Sequence, residues 1–139
     1  MKKKSLKIVC ALFLSVLATA FFYSCDKDTD CYVHVTTIDA QSKQPLSDTY
    51  VSLIQGERTY VTKQTDANGE CTLSLHAPAL MNVVAKYEKV LENNTSGKFY
   101  YHMGENAVRL IDGETKEVTI EIDRTTDPLS QNDRPQLSE

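Results

Sequence analysis

The chain contains no tryptophan, which bears first on sugar recognition, because the usual glycan platform is a flat, exposed Trp or Tyr ring. Its three histidines, His34, His76 and His102, form no His-Glu-x-x-His set, and its four cysteines form no Cys-x-x-Cys pair. The common zinc signatures are therefore excluded. Five glycines are too few and too scattered to make a phosphate-cradling loop, and no Gly-x-Ser-x-Gly elbow is present to activate a serine. The residues thus name no catalytic set, no metal and no cofactor, and the chain is not expected to be an enzyme. Long apolar runs are also scarce. Residues 8–23 form a sixteen-residue stretch without charge, shorter than the roughly 20 residues a spanning helix needs.

What precedes and follows that stretch gives it meaning. Residues 1–7 carry four lysines and no acid, and a basic flank before a short apolar core has the shape of a signal peptide, here residues 1–24. Phe22-Tyr23-Ser24-Cys25 resembles the lipobox of bacterial lipoproteins. The resemblance implies that Cys25 becomes the first residue of the mature chain and carries the lipid. An ordinary secretory peptide cleaved nearby, or an uncleaved N-terminal anchor, are the alternatives. Each buried CH₂ of an acyl chain contributes ~0.8 kcal/mol, so several palmitate-like chains on one cysteine make the membrane a permanent partner. Residues 25–30 form an acidic tether, Cys25-Asp26-Lys27-Asp28-Thr29-Asp30. They resemble the export signal of Bacteroidota-type lipoproteins, which implies an outer-membrane location on the cell surface, the periplasmic leaflet being the other option. The same acids are spaced like the start of a calcium loop, but Cys31 and Thr37 stand where its glycine and closing glutamate belong. Without residues 1–24 the chain has 11 basic against 19 acidic residues, a net charge of −8. Nucleic acid and anionic lipid surfaces are therefore not expected as partners.

Residues 31–123 are enough for one small domain. Residues 124–139 are polar and aperiodic, and are expected to form a disordered tail. No window of the mature chain carries a helical period. Instead Val33, Val35 and Thr37 alternate with polar neighbours, as do Val118, Ile120 and Ile122, the period of a strand with one buried face. The clearest local signal is Thr65-Asp66-Ala67-Asn68-Gly69. Asp66 can accept from backbone amides two or three residues on, Asn68 tolerates a left-handed backbone, and Gly69 supplies a positive φ. Cys71, Leu73 and Leu75 follow with strand alternation, so a hairpin is expected. Short strands separated by turn signals predict an all-β antiparallel β-sandwich of about seven strands.

Val33-His34-Val35-Thr36-Thr37-Ile38-Asp39, then Gln44-Pro45-Leu46, Val51-Ser52-Leu53 and Thr65-Asp66-Ala67-Asn68-Gly69 resemble, in order and spacing, the carboxypeptidase regulatory-like domain. That family has a transthyretin-like (prealbumin-like) sandwich. Its members accompany enzymes, receptors or adhesins without catalysing, so the resemblance implies a binding or accessory module with a protein partner at the envelope. In such folds the first strand neighbours the strand after the Thr-Asp-x-x-Gly turn. Cys31 and Cys71 both have inward parity, so a disulfide between them is expected, with two buried thiols that never meet as the alternative. Two further functions are open to such a domain. A glycan-binding lipoprotein would use Tyr100 and His102 beside the Asn93-Asn94-Thr95 loop, and a structural subunit of a surface assembly would need a donated strand. Cys25→Ser should leave protein that takes up no labelled fatty acid and leaves the membrane fraction; fatty-acid labelling of the substituted chain would refute the lipobox reading.

Overall fold

The computed structural model describes residues 30–139. The signal peptide, Cys25 and all of the tether but Asp30 lie outside the described residues. These contain eight strands and no helix: β1 (Cys31–Asp39), β2 (Tyr50–Gln55), β3 (Arg58–Gln64), β4 (Glu70–Leu75), β5 (Leu80–Lys89), β6 (Phe99–Arg109), β7 (Thr115–Ile122) and β8 (Leu129–Gln131). They form a three-stranded sheet in the order β4-β1-β7 and a five-stranded sheet in the order β3-β2-β5-β6-β8.

The alternation legible in the sequence decides which face turns inward. Along β1 every second residue is buried, from Cys31 through Val33, Val35 and Thr37 to Asp39. Along β7 the buried positions are Val118, Ile120 and Ile122. Cys31, Val33 and Val35 and the three residues of β7 share one apolar cluster with Val51 and Leu53 of β2 and with Met81, Val83 and Ala85 of β5. Each buried Val, Leu, Ile or Met adds about 1.5–3 kcal/mol over its exposed state. The inward faces of the two sheets therefore hold each other in place.

Four features depart from the sequence expectation. The sheets are not wholly antiparallel, because β1 pairs in parallel with β7, Val35 opposite Val118 and Asp39 opposite Ile122. A parallel pair needs a long connection between its strands, here the whole of β2 to β6. The eighth strand lies in the segment expected to be disordered. β8 pairs with β6, Leu129 opposite Tyr101, and Arg134 grips Glu88 with two hydrogen bonds of 3.1 and 3.0 Å. The Ser138 amide then donates to the Thr62 carbonyl at 2.9 Å. Residues 132–138 thus cross from β8 over the outer face of the five-stranded sheet, and Ser52, Thr62 and Tyr101 on that face are buried. The polar composition of this segment hid its order because it pairs through backbone and charge rather than apolar side chains.

The third departure is at the Thr65 turn. Asp66 Oδ1 accepts from the amides of Asn68 at 2.9 Å and Glu70 at 3.0 Å, and Gly69 has φ of +73°. Asn68 is not left-handed; among the described residues the non-glycine residues with positive φ are Lys43 and Asp48. Nor do the flanking strands make a hairpin, since β3 belongs to one sheet and β4 to the other. The turn is a corner between sheets. The Thr37 amide donates to the Gly69 carbonyl at 2.8 Å, which pulls β4 away from β3 and onto β1.

The fourth concerns the cysteines. β4 does neighbour β1, but Cys31 pairs opposite Leu75 and Cys71 opposite Val35. Four residue pairs along a strand amount to about 13 Å, well beyond the roughly 7 Å limit for a disulfide. Both thiols are free. A Cβ on Gly69 would lie 2.6 Å from the Thr37 carbonyl, whereas a Cβ on Gly56, whose φ is +61°, would meet nothing within 4 Å. Gly56→Ala should cost about 1 kcal/mol, the low end for a left-handed non-glycine residue. Gly69→Ala should cost at least about 2 kcal/mol more, as its methyl must also displace backbone. Urea unfolding of both variants measures the difference, and equal losses would show that the corner is not tightly closed.

Candidate functional site

The parallel register of β1 and β7 brings two strand ends together at one side of the fold. Asp39 ends β1 opposite Ile122, and Arg124 stands two residues farther on. A cavity of about 670 Å³ opens there, lined by Asp39, Gln41, Tyr87, Lys89, His102 and Arg124 among others.

Asp39 occupies a core-facing position of β1, and its side chain is only 5% exposed. An isolated buried carboxylate would be costly, but this one is surrounded by donors. Oδ1 accepts from the amides of Gln41 and Ser42, each at 2.8 Å, and Oδ2 accepts from Arg124 Nε. The Ser42 amide, then the Arg124 guanidinium, hold the carboxyl well below the usual carboxylate range despite desolvation. Asp39 in turn raises the pKa of Arg124. The guanidinium carbon lies 5.5 Å from the centre of the Tyr87 ring, within cation–π reach.

Tyr87 and His102 are directly opposed on β5 and β6. His102 is 3% exposed, and its Nδ1 is buried without a hydrogen-bond partner among the described residues. Burial, reinforced by the positive charges of Lys89 and Arg124, pushes its pKa down, with Asp123 opposing. The imidazole is therefore neutral at pH 7.

The residues singled out in the sequence fall in different places. Thr65, Asp66 and Gly69 build the corner, with Asn68 exposed at its tip. Cys31 is buried and its thiol donates to Asp112 Oδ1 at 3.6 Å. Burial pushes its pKa up, with Asp112 adding to the shift. Cys71 is pushed up to about 11, also by burial. His34 lies toward the surface of β1 with Nδ1 3.1 Å from Thr72 Oγ1.

The expected patch of Tyr100, His102 and the Asn93 loop does not assemble. His102 faces Tyr87 under the strand ends, while half-buried Tyr100 stands opposite Lys89 and does not line the cavity. The loop closes on itself, Ser96 donating its amide to Asn94 Oδ1 at 3.1 Å. Asp39, Arg124 and Tyr87 were not singled out from the sequence. The one available signal was parity, since Asp39 continues the inward series of Val33, Val35 and Thr37, and an acid at such a position needs a partner. Among the described residues no group of three His, Cys, Asp or Glu side chains is placed to hold a metal ion. No protein-family model matches the chain, and a comparison with curated proteins finds no match.

Asp39 makes the stability of the fold depend on pH with a definite sign. Its pKa is lower folded than unfolded, so its contribution is fully present above the unfolded value of about 3.9 and is lost as pH falls toward the folded value. Asp39→Asn should be less stable at pH 7, because the partly exposed Arg124 guanidinium loses its anionic partner. It should also lose less stability than the parent between about pH 4 and pH 2. Thermal melts across that range check both statements, and parallel pH curves would exclude Asp39 as the titrating anchor.

Proposed function

We propose that the protein is a lipid-anchored, non-enzymatic binding or accessory module of the outer membrane, carried by Cys25 and built on a transthyretin-like β-sandwich of the carboxypeptidase regulatory-like type. The observation that carries the reading is the state of Asp39. The buried acid of this cavity is held ionised by Ser42, Gln41 and Arg124, so it serves as a structural anion and not as a proton donor or acceptor. A cavity organised in that way is suited to holding a group rather than transforming it. The adjacency of β1 and β4 across the Thr65 corner agrees with what the family resemblance implies for strand order.

A glycan platform receives less support. Tyr50 and Tyr101 meet edge to face at 6.2 Å, and Arg134 lies 4.7 Å from the centre of the Phe99 ring. These rings are engaged by one another or by Arg134. Tyr60 is 38% exposed, with Arg58 over its ring at 4.7 Å. The acidic tether favours display outside the cell. Protease added to intact cells should therefore remove the domain, while complete protection until the outer membrane is opened would place it on the periplasmic leaflet.

A further inference from the structure

We propose that the cavity between the ends of β1 and β7 binds a small organic carboxylate, held by Lys89, His102 and Arg124. The inference rests on which charges in that cavity are already engaged. Glu88 accepts both hydrogen bonds from Arg134. Asp39 accepts from two amides and from Arg124. Asp123, just beyond β7, accepts from the amide and hydroxyl of Thr125 at 2.9 and 2.6 Å. The acids around the cavity are thus occupied.

The nitrogen-bearing groups are less fully engaged. The Lys89 ammonium forms no ion pair or side-chain hydrogen bond among the described residues. Arg124 gives Nε to Asp39 while its side chain stays 42% exposed. His102, almost wholly buried, lines the same cavity with Nδ1 unpartnered. An unsatisfied buried nitrogen costs about 1–3 kcal/mol, and a group that pairs with the ring or its proton recovers part of that cost. In a chain whose net charge is −4, two uncommitted or half-committed cations beside such a ring single out an anion. The open side of Tyr87 and the size of the cavity, within the roughly 300–1,000 Å³ of small-ligand sites, admit an organic body behind the charge. A uronic acid and the free C-terminus of a peptide both supply that carboxylate.

Binding should then depend on pH. The groups facing His102 are Tyr87 and Lys89 from β5, Asp123 and Arg124 from beyond β7, and Asp39 from the end of β1. Histidine is the one among them whose ordinary range lies near neutrality. A bound carboxylate favours the imidazolium, so affinity rises as pH falls through the titration of His102.

The proposal rests on reading the domain as a binding module, and it can fail while surface display stands. The full chain in detergent micelles, with ¹⁵N-labelled histidine, is titrated with glucuronate and with an N-acetylated dipeptide acid. Methyl glucoside and the dipeptide amide serve as neutral counterparts. The acids should shift the His102 ring signals and bind several-fold tighter at about pH 6 than at about pH 7.5, and the neutral forms should do neither. A response to one acid alone identifies the source of the carboxylate. Lys89→Gln, an exposed change that leaves the core intact, should weaken binding roughly threefold, and His102→Gln should abolish the pH dependence. Equal responses to acid and neutral forms, no response to either acid, or unchanged affinity in Lys89→Gln would overturn the proposal.

Discussion

The carbonyl oxygen of Leu46 accepts hydrogen bonds from three buried threonine hydroxyls: Thr37 at 2.8 Å, Thr49 at 3.1 Å and Thr65 at 2.8 Å. Thr37 belongs to β1 in one sheet, and Thr65 follows β3 in the other, so one backbone oxygen ties the two sheets at their corner. A carbonyl offers two lone pairs, and the crowding is relieved by longer second acceptors, Gly69 O for Thr37 at 3.3 Å and Ser47 O for Thr49 at 3.4 Å. The Leu46 amide returns to the Thr37 carbonyl at 3.0 Å. This closed set of bonds leaves no room for a side chain at Gly69. It also fixes where β4 begins on β1, with Thr36 opposite Glu70. Every later pair in that ladder follows, including the pairing that keeps Cys31 away from Cys71.

Much of this was legible because the sequence states its turns and its alternation plainly. Val33, Val35 and Thr37, and Val118, Ile120 and Ile122, announce strands with one wet face. Asp66 and Gly69 announce a reversal. What a local pattern cannot state is the partner of a strand. Period-2 alternation is the same for a parallel and an antiparallel neighbour, so the pairing of β1 with β7 was hidden, and with it the meeting of Asp39 and Arg124. The turn at Thr65 looked like a hairpin because the bonds that separate β3 from β4 come from Thr37 and Leu46, far away in the chain. Around Tyr100, Tyr101 and His102 the alternation blurs. There the core covers one face and residues 132–138 cross the other, so neighbouring side chains are both buried.

The cavity is a consequence of the same topology. Two strands that run in parallel end on the same side, and their trailing residues, Gln41 and Ser42 after β1 and Arg124 and Thr125 after β7, must turn away together. An inward acid at that point has to be neutralised, and the nearest means are the amides of the turn and the first cation beyond the neighbouring strand. The result is a polar, partly open end on an apolar core. Its ionised acids are fixed by structure, and its remaining nitrogens face solvent and the imidazole of His102.

Hydrogen exchange at the corner tests most directly whether the Leu46 oxygen and its three threonines hold the sheets together. The amides of Thr37, Leu46, Thr49 and Thr65 donate respectively to Gly69 O, Thr37 O, Thr65 Oγ1 and Thr49 O at 2.8 to 3.0 Å. If this corner is the joint of the fold, these four amides exchange only through global unfolding, with the same opening free energy as Val33 and Val83 in the core strands. Exchange of the four through a local opening, several kcal/mol below that of the core, would show that the sheets stay together without them.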